Sequence, residues 1–281
     1  MPVVSRLTIS IILPSRNRAV SLARAVASLI EKADDHSRIE VLIGIDEDAR
    51  QTSLPPVLTE HATIRPIVRP RPDTVAEVAN QLAVEARGSL LVYSGDDIAV
   101  ETPGWDSILA SSHAAQAPYP YAASFIDPIH REVPTYWIMD RSFYSALGFF
   151  CAPWFPYWFA DTWVYEVGML SRRLFELPVR LSYPDGRGET IGMYDLPWWI
   201  DFFVNTRPVR LRQAEAILSS CGGASRQIAQ SCWPMIMPQL DRYIEWLRGW
   251  ALRLGANSAS EPSERYLRAK AAAELFLVSL R

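Results

Sequence analysis

A length of 281 residues, with 49% hydrophobic and 21% charged side chains, fits one large α/β domain or one domain with an appendage. The formal net charge of −3 argues against general nucleic-acid binding, which needs a strongly basic surface. The three cysteines are odd in number and lie far apart, which fits a reducing, cytoplasmic location better than a disulfide scaffold, and no C-x-x-C pair indicates a zinc site. No apolar run approaches the roughly 20 residues of a membrane-spanning helix.

The first half of the chain alternates between apolar strands and amphipathic helices. This pattern predicts a mainly parallel sheet flanked by helices. The predicted strands cover residues 7–13, 39–45, 63–68 and 90–93, and the predicted helices cover residues 20–32 and 74–86, with Gly88 ending the second helix.

Three of these strands end in polar or charged residues. The first strand is followed by Pro14, Ser15 and Arg16, the second by Asp46, and the last by Asp96 and Asp97. Open parallel sheets bind ligands at the carboxyl ends of their strands, so we expect these groups to share one site. Adjacent carboxylates repel each other and are usually neutralised by a divalent cation, often with a phosphate behind it. The alternative is that one of them only caps the helix that Pro103 is predicted to start.

The second half becomes steadily richer in helix. We predict a helix from Pro103, two short strands within residues 118–140, a helical turn at residues 141–147 and a helix at residues 161–174. From about residue 211 the pattern is helical to the end. The chain is therefore predicted to comprise a domain of residues 1–210 and a helical C-terminal region of residues 211–281.

Several short motifs follow one another in a fixed order. They are I-S-I-I-L-P-S-R-N-R at residues 9–18, a strand ending in aspartate at residues 39–46, A-N-Q at residues 79–81, A-R-G at residues 86–88, S-G-D-D-I at residues 94–98, A-L-G-F-F at residues 146–150 and A-D-T-W at residues 160–163. Together they resemble the glycosyltransferases of family two. The resemblance implies a Rossmann-like sheet of the GT-A type. It also implies transfer of a sugar from a nucleotide-sugar to an acceptor hydroxyl, with inversion and with Mn²⁺ or Mg²⁺ at the diphosphate.

The same resemblance assigns roles to the residues at the strand ends. The residues that it places in the nucleotide-sugar site are Pro14, Ser15, Arg16, Asp46, Asn80 and Asp96. Asp97 is the implied metal ligand, and Asp96 contacts either the ribose or the metal. The alternatives are a surface position for Arg16, a solvated turn for Asp46 and a backbone-bonded position for Asn80.

Two departures from the family pattern concern the metal. The family motif is usually Asp-any-Asp, but Gly95 stands where the first aspartate belongs. The family often has a later histidine near the metal, whereas all four histidines here precede Asp161; they are His36, His61, His113 and His130. That ligand is therefore missing or substituted.

Asp161 is the candidate general base, with Glu166 as the fallback. An inverting transfer needs a carboxylate on the face opposite the leaving diphosphate, where it removes the proton of the acceptor hydroxyl. Trp154, Trp158 and Trp163 flank Asp161 in sequence and are predicted to contact the acceptor. The alternatives are an N-cap role for Asp161 and core packing for the tryptophans.

The expected partners are a nucleotide-sugar donor and a saccharide, lipid-linked or other hydroxyl acceptor, as in polysaccharide biosynthesis. Peripheral contact with a membrane is left open. The competing hypothesis is a catalytically inactive GT-A-like module that binds sugar nucleotides or serves as a scaffold. A nucleotidyltransferase, a dinucleotide-dependent oxidoreductase and a Walker-type ATPase are each disfavoured, because the glycine-rich loops that they need are absent.

Overall fold

The sheet that the alternating pattern predicts has eight strands in the computed structural model, which describes residues 8–49, 63–129, 133–156, 158–186, 194–254 and 262–280. The strands are β1 (Ile9–Ser15), β2 (Ile39–Asp46), β3 (Ile64–Arg69), β4 (Leu90–Tyr93), β5 (Ala99–Val100), β6 (Ala122–Ile126), β7 (Trp137–Asp140) and β8 (Leu174–Ser182). Their order across the sheet is β3-β2-β1-β4-β7-β6-β8-β5. Only β7 and β5 run antiparallel to their neighbours, so the prediction of a mainly parallel sheet is confirmed.

Helices cover both faces of this sheet. Those in the described part of the chain are α1 (Ala19–Glu31), α2 (Val75–Glu85), α3 (Trp105–Gln116), α4 (Arg141–Leu147), α5 (Ala160–Ser171), α6 (Leu196–Asn205), α7 (Arg207–Ser219), α8 (Gly223–Ser231), α9 (Trp233–Leu254) and α10 (Glu264–Ser279). None of these helices is both long enough and apolar enough to cross a membrane.

Two apolar layers enclose the sheet. Because successive side chains of a strand point to opposite faces, Ile11 of β1 joins one layer and Ile12 joins the other. The first layer contains α1 and α3, and the second contains α2, α5 and the C-terminal helices. Both faces of β1 and β2 are thereby buried, which explains why their sequences are nearly continuous apolar runs.

One predicted helix end is wrong, and one residue that was predicted to end a helix does not do so. α5 ends at Ser171 instead of residue 174, because Arg172 adopts a left-handed conformation with φ of 52° and the chain then enters β8. α2 ends at Glu85, three residues before Gly88. Gly88 instead passes close to β1, where a Cβ atom would lie 2.5 Å from the Ser10 hydroxyl oxygen.

The predicted boundary near residue 210 lies within α7. Arg210 is fully buried, and its guanidinium stacks 3.7 Å from the ring centre of Phe203. Ile217 of α7 and Ile244 of α9 belong to the same apolar cluster as α2 and α5. Residues before and after position 210 therefore share one core.

Candidate active site

The loop that follows β1 binds the acidic pair that follows β4. The Ser15 hydroxyl donates a hydrogen bond of 2.8 Å to Oδ2 of Asp96, and Nη1 of Arg18 donates one of 3.1 Å to Oδ1. The parallel pairing of β1 with β4 brings these two strand ends side by side. The expectation that polar groups at the strand ends meet is thus met for Ser15 and Asp96.

The end of β2 is joined to the same loop through Arg16. Nη1 of Arg16 lies 2.5 Å from Oδ2 of Asp46 and 2.6 Å from Oδ1 of Asp48. Asp48 and Asp46, through these hydrogen bonds, raise the pKa of Arg16 above its ordinary value. Asp46 is buried and bonded to an arginine, so the alternative of a solvated turn does not describe it.

A cavity of about 520 Å³ opens beside these strand ends. Its walls include every residue that was predicted to bind the nucleotide-sugar except Asn80, namely Pro14, Ser15, Arg16, Asp46 and Asp96. Further walls come from the loop at residues 71–74, from the first turns of α2, and from Ser263 and Arg265 at the start of α10. The volume lies within the range of about 300 to 1,000 Å³ that small-molecule sites have.

Asp96 and Asp97 differ in their surroundings. Asp96 is buried, and this burial raises its pKa above the ordinary 3.8 even though Ser15 and Arg18 bind its ionised form. Asp97 has 29% of its side chain exposed, and its Oδ1 accepts a hydrogen bond of 3.1 Å from the Tyr136 hydroxyl. Asp97 thus keeps more exposed surface than Asp96, whereas Asp96 and not Asp97 lines the cavity.

The absence of a side chain at Gly95 is explained by this arrangement. A Cβ atom there would lie 2.6 Å from Oδ1 of Asp97 and 2.9 Å from the hydroxyl oxygen of Tyr136. Real Cβ atoms essentially never come this close to other heavy atoms. The bond between Asp97 and Tyr136 therefore occupies the space that an aspartate at position 95 would need.

The carboxylates allow one mode of metal binding. In the part of the chain that the structure describes, no three His, Cys, Asp or Glu side chains are grouped so that they could hold a metal ion. Ions such as Mg²⁺ are nevertheless often held by one or two carboxylates together with phosphate oxygens and water. Asp97, with Asp96 beside it, fits that mode.

The two histidines that the structure describes do not line this cavity. His113 lies on α3, and its Nδ1 is 3.2 Å from the hydroxyl oxygen of Tyr121. His36 begins the short turn before β2. His61 and His130 lie outside the described residues.

Asp161 lies in the first turn of α5. Its Oδ1 accepts hydrogen bonds of 2.7 Å from the backbone N–H of Thr162 and 3.2 Å from the hydroxyl of the same residue. The pKa of Tyr93 is raised mainly by burial. Smaller contributions come from nearby charges, among them those of Asp161, Asp96 and Asp97. Tyr93 ends β4, so Asp161 lies close to the same end of the sheet as the acidic pair.

Asn80 does not belong to the cavity, which corrects the prediction. Its side-chain oxygen accepts hydrogen bonds from the backbone N–H groups of Phe150, at 2.8 Å, and Cys151, at 2.9 Å. Its side-chain nitrogen donates to the carbonyl of Cys151 at 2.7 Å. Asn80 therefore links α2 to the segment that leads to Asp161. This agrees with the alternative that its side chain is hydrogen-bonded to the backbone.

Two further predictions for the acceptor side need correction. Trp163 is fully buried and its Nε1 donates to Gln213, so it is a core residue and cannot contact an acceptor. Glu166 is buried too, and its Oε1 lies 2.9 Å from Arg207 and 3.1 Å from Arg210, which excludes it as a base.

The other two tryptophans are only partly buried. Trp154 stacks on Phe276 of α10, with ring centres 4.0 Å apart. Trp158 also packs against the core cluster. Both keep some exposed surface, and their role towards an acceptor stays a prediction.

The sequence did not single out four residues that shape the site, which are Arg18, Arg71, Tyr136 and Arg265. Arg18 is the last residue of the motif I-S-I-I-L-P-S-R-N-R, and Arg71 follows β3. Tyr136 and Arg265 carry no local signal, because they reach the site only through the antiparallel return of β7 and the packing of α10.

Comparison with known proteins identifies one family and several solved structures. The model of the family described as "Glycosyl transferase family 2" matches residues 10–151. A search of curated proteins finds no significant match. The chain is similar in structure to TarS from S. aureus in complex with UDP-GlcNAc, with 13% identity, a TM-score of 0.60, and coverage of 94% of this chain and 79% of that chain.

It is also similar to the mannosyltransferase PcManGT from Pyrobaculum calidifontis in complex with GDP-Man and Mn²⁺. Here the identity is 14%, the TM-score is 0.52, and the coverage is 99% of this chain and 87% of that chain. These likenesses confirm the prediction of a GT-A-type fold.

Proposed function

The chain belongs to glycosyl transferase family 2, and from this premise we propose that its cavity binds the nucleotide and diphosphate of a nucleotide-sugar donor for an inverting transfer. The observation that carries the proposal is that the ends of β1, β2 and β4 bring Arg16, Asp46 and Asp96 into one cavity. Parallel sheets bind nucleotides at this kind of edge.

The cavity would hold the nucleotide, and the metal ion would lie next to the cavity wall at Asp96. Pro14 and Arg16 would lie along the base, and Asp46 would accept a hydrogen bond from the base or the ribose. Asp97, with Asp96 as its neighbour, would hold Mn²⁺ or Mg²⁺. When bound, such an ion neutralises the charge that develops on the departing diphosphate.

Asp161 would act as the general base. The acceptor hydroxyl gives its proton to the carboxylate of Asp161, its oxygen forms a bond to the anomeric carbon, and the bond from that carbon to the diphosphate breaks. Attack from the face opposite the diphosphate inverts the configuration. Partly exposed Trp154 and Trp158 support an apolar wall for a saccharide acceptor.

The second candidate is the inactive binding module, which is motivated by Gly95 and by the missing later histidine. It predicts that a nucleotide-sugar binds but that no transfer or hydrolysis occurs. The two candidates therefore differ in turnover and share the donor site.

The cellular setting is part of the proposal. All three cysteines are free, and two of them are buried, as a reducing cytoplasm allows. Exposed apolar side chains on α9, such as Trp246 and Leu252, support peripheral contact with a membrane that carries a lipid-linked acceptor. Sedimentation with liposomes tests this contact, and a protein that stays in the supernatant at every lipid composition would contradict it.

The test is a panel of UDP-, GDP-, dTDP- and CMP-sugars, assayed for binding and for slow hydrolysis with and without Mn²⁺. The wild-type chain is compared with Asp97→Ala and with Arg242→Ala, an exposed residue of α9 that serves as the control. We expect one nucleotide-sugar to bind more tightly in the presence of Mn²⁺. In the Asp97→Ala variant, Mn²⁺ should no longer increase the affinity. Binding without any turnover would favour the inactive module, and no binding at all would refute the donor site.

A further inference from the structure

The start of α10 forms part of the donor cavity, although it lies about 170 residues beyond the acidic pair in sequence. Ser263 and Arg265 line the cavity together with Arg71 and Asp73. The C-terminal region therefore contributes a cation to a cavity that is lined mostly by residues of the family-matched part of the chain.

α10 is fixed against this cavity by an ion pair that involves one of the wall residues. Nη2 of Arg268 lies 2.6 Å from Oδ1 of Asp73, and Nε of Arg268 donates at 2.9 Å to the other carboxylate oxygen. On the inner side of the helix, Tyr266 is buried and forms hydrogen bonds with Trp199 and with the backbone carbonyl of Tyr194. Arg265 directly precedes Tyr266 and lies three residues before Arg268, so these contacts fix the turn of α10 that carries it.

The arginines that line the cavity differ in how they are bonded. Arg16 binds Asp46 and Asp48, Arg18 binds Asp96, and Arg71 lies 3.5 Å from Asp48. Nη1 of Arg265, in contrast, is buried and has no hydrogen-bond partner among the described residues. Buried donors are usually satisfied. Of the residues that have such an unsatisfied donor in the described part of the chain, Arg265 is the one that lines the cavity, where an acceptor could reach it.

A phosphate group has the chemistry that this donor lacks. The guanidinium group is a planar fork of N–H donors that matches phosphate oxygens, and it stays charged at any physiological pH. Arg265 can bind an anion through Nη1 without breaking a hydrogen bond within the protein. Arg16 and Arg18 would have to share or break their ion pairs with Asp46 and Asp96. We propose that Arg265 is a donor-binding residue that contacts the diphosphate of the nucleotide-sugar, so that α10 completes the active site. This inference rests on the proposed function.

The experiment uses the chain of residues 1–281 and its variants Arg265→Ala, Arg265→Lys and Arg242→Ala. Isothermal titration calorimetry measures the binding of inorganic pyrophosphate, of UDP and GDP, and of the nucleosides uridine and guanosine, in EDTA and in Mn²⁺. We expect Arg265→Ala to weaken pyrophosphate and the preferred nucleoside diphosphate about tenfold or more, as the loss of a charge-assisted hydrogen bond does. Arg265→Lys keeps the positive charge but lacks the planar fork of N–H donors. Its affinity for pyrophosphate should therefore lie between those of the wild type and the alanine variant.

The controls separate a phosphate contact from a structural role. Nucleoside binding should be unchanged in Arg265→Ala, and Arg242→Ala should behave as wild type towards every ligand. Thermal melting of each variant shows whether the fold is intact, and a lysine variant that melts like wild type yet binds pyrophosphate more weakly supports the contact even if the alanine variant unfolds. Equal losses for nucleoside and pyrophosphate would overturn it, as would unchanged pyrophosphate binding.

The outcome also distinguishes this inference from the proposed function. If a nucleotide-sugar binds and turns over equally in wild type and Arg265→Ala, the role of Arg265 is refuted and the transferase proposal stands. If pyrophosphate binds in a manner that needs Arg265 but no nucleotide-sugar binds, the anion contact stands and the donor assignment fails. A wild-type chain that binds neither refutes both.

Discussion

At position 95 a side chain would fit only if neighbouring side chains moved. A Cβ atom there would displace either the Asp97 carboxylate or the Tyr136 hydroxyl. We therefore expect Gly95→Ala to weaken metal-dependent nucleotide binding by about tenfold, or ~1.4 kcal/mol. Titration with and without Mn²⁺ measures the effect.

A matched control for this substitution is Gly223→Ala. A Cβ atom at Gly223 would meet no atom within 4 Å, so this variant should bind as wild type does. The explanation for Gly95 would be wrong if alanine there left the metal dependence unchanged. It would also be wrong if Gly95→Asp, which restores the usual family motif, improved binding.

Asp161 is the residue on which the chemical step depends. Removing a general base usually lowers the rate by about 10² to 10⁴-fold. We expect Asp161→Asn to lose transfer to that extent while it binds the donor normally, because Asp161 lies outside the residues that line the donor cavity. Single-turnover transfer assays on the donor that the panel identifies would measure this, and a variant with more than about a tenth of the wild-type rate would remove Asp161 from the mechanism.

At the level of elements, Glu40 joins three parts of the fold at the edge opposite the cavity. This buried residue of β2 accepts hydrogen bonds from the hydroxyl of Ser10 at 2.6 Å, from the backbone N–H of Arg87 at 2.5 Å and from the guanidinium of Arg65 at 2.9 Å. Burial alone would raise the pKa of Glu40, but these bonds outweigh it and hold the pKa below the ordinary 4.5. The ionised form therefore stabilises the folded state.

This pKa direction predicts how stability depends on pH. The contribution of Glu40 is present above pH 4.5 and is lost as the pH falls through the lowered pKa of the folded state. Glu40→Gln should lower the free energy of unfolding by about 2 kcal/mol at pH 7, as the loss of hydrogen bonds to a charged group does. Urea unfolding of both proteins between pH 7 and pH 3 should show the difference shrinking towards the acid end, and a constant difference would contradict the prediction.

What the sequence could predict is the part of the fold that local patterns determine. β1, β2 and β4 bury both faces, so each of them is a recognisable apolar run in the sequence. The polar residues that follow these runs lie at the edge where a parallel sheet binds ligands. β8 was not visible, because its pairing with β6 is a contact between distant segments and its sequence contains Pro178. Asn80 and Trp163 were misassigned for a related reason. A polar or aromatic side chain near a motif can face either the core or the ligand site, and only the packing of the whole fold decides between the two.

For the molecule as a whole, the C-terminal helices are needed to bury the second face of the sheet. Ala214, Ile217 and Ile244 are buried in the cluster that also contains Ile12 and Leu42 of the sheet. Residues 1–210 and 211–281 should consequently fold as one unit. A chain that ends at residue 210 would expose this cluster and leave Glu166 without the rest of α7, and we expect it to aggregate without a cooperative melting transition.

Circular dichroism and size-exclusion chromatography would check this expectation. The matched control is a chain that lacks only α10. It should keep most of the core and fold, but bind nucleotide more weakly than the full chain. A cooperative transition for residues 1–210 close to that of the full chain would show instead that the C-terminal helices are an independent appendage.

The ion pairs at the strand ends also bear on how fast a donor can arrive. Arg16 and Arg18 are each bonded to aspartates of the same cavity, so their opposite charges largely cancel at distances beyond about 8 Å, where physiological salt already screens the field. These two arginines therefore add little to the long-range attraction that accelerates many encounters between oppositely charged partners. A donor would be captured by short-range contacts after random diffusion. Added salt should therefore change the lifetime of the complex more than the rate at which it forms.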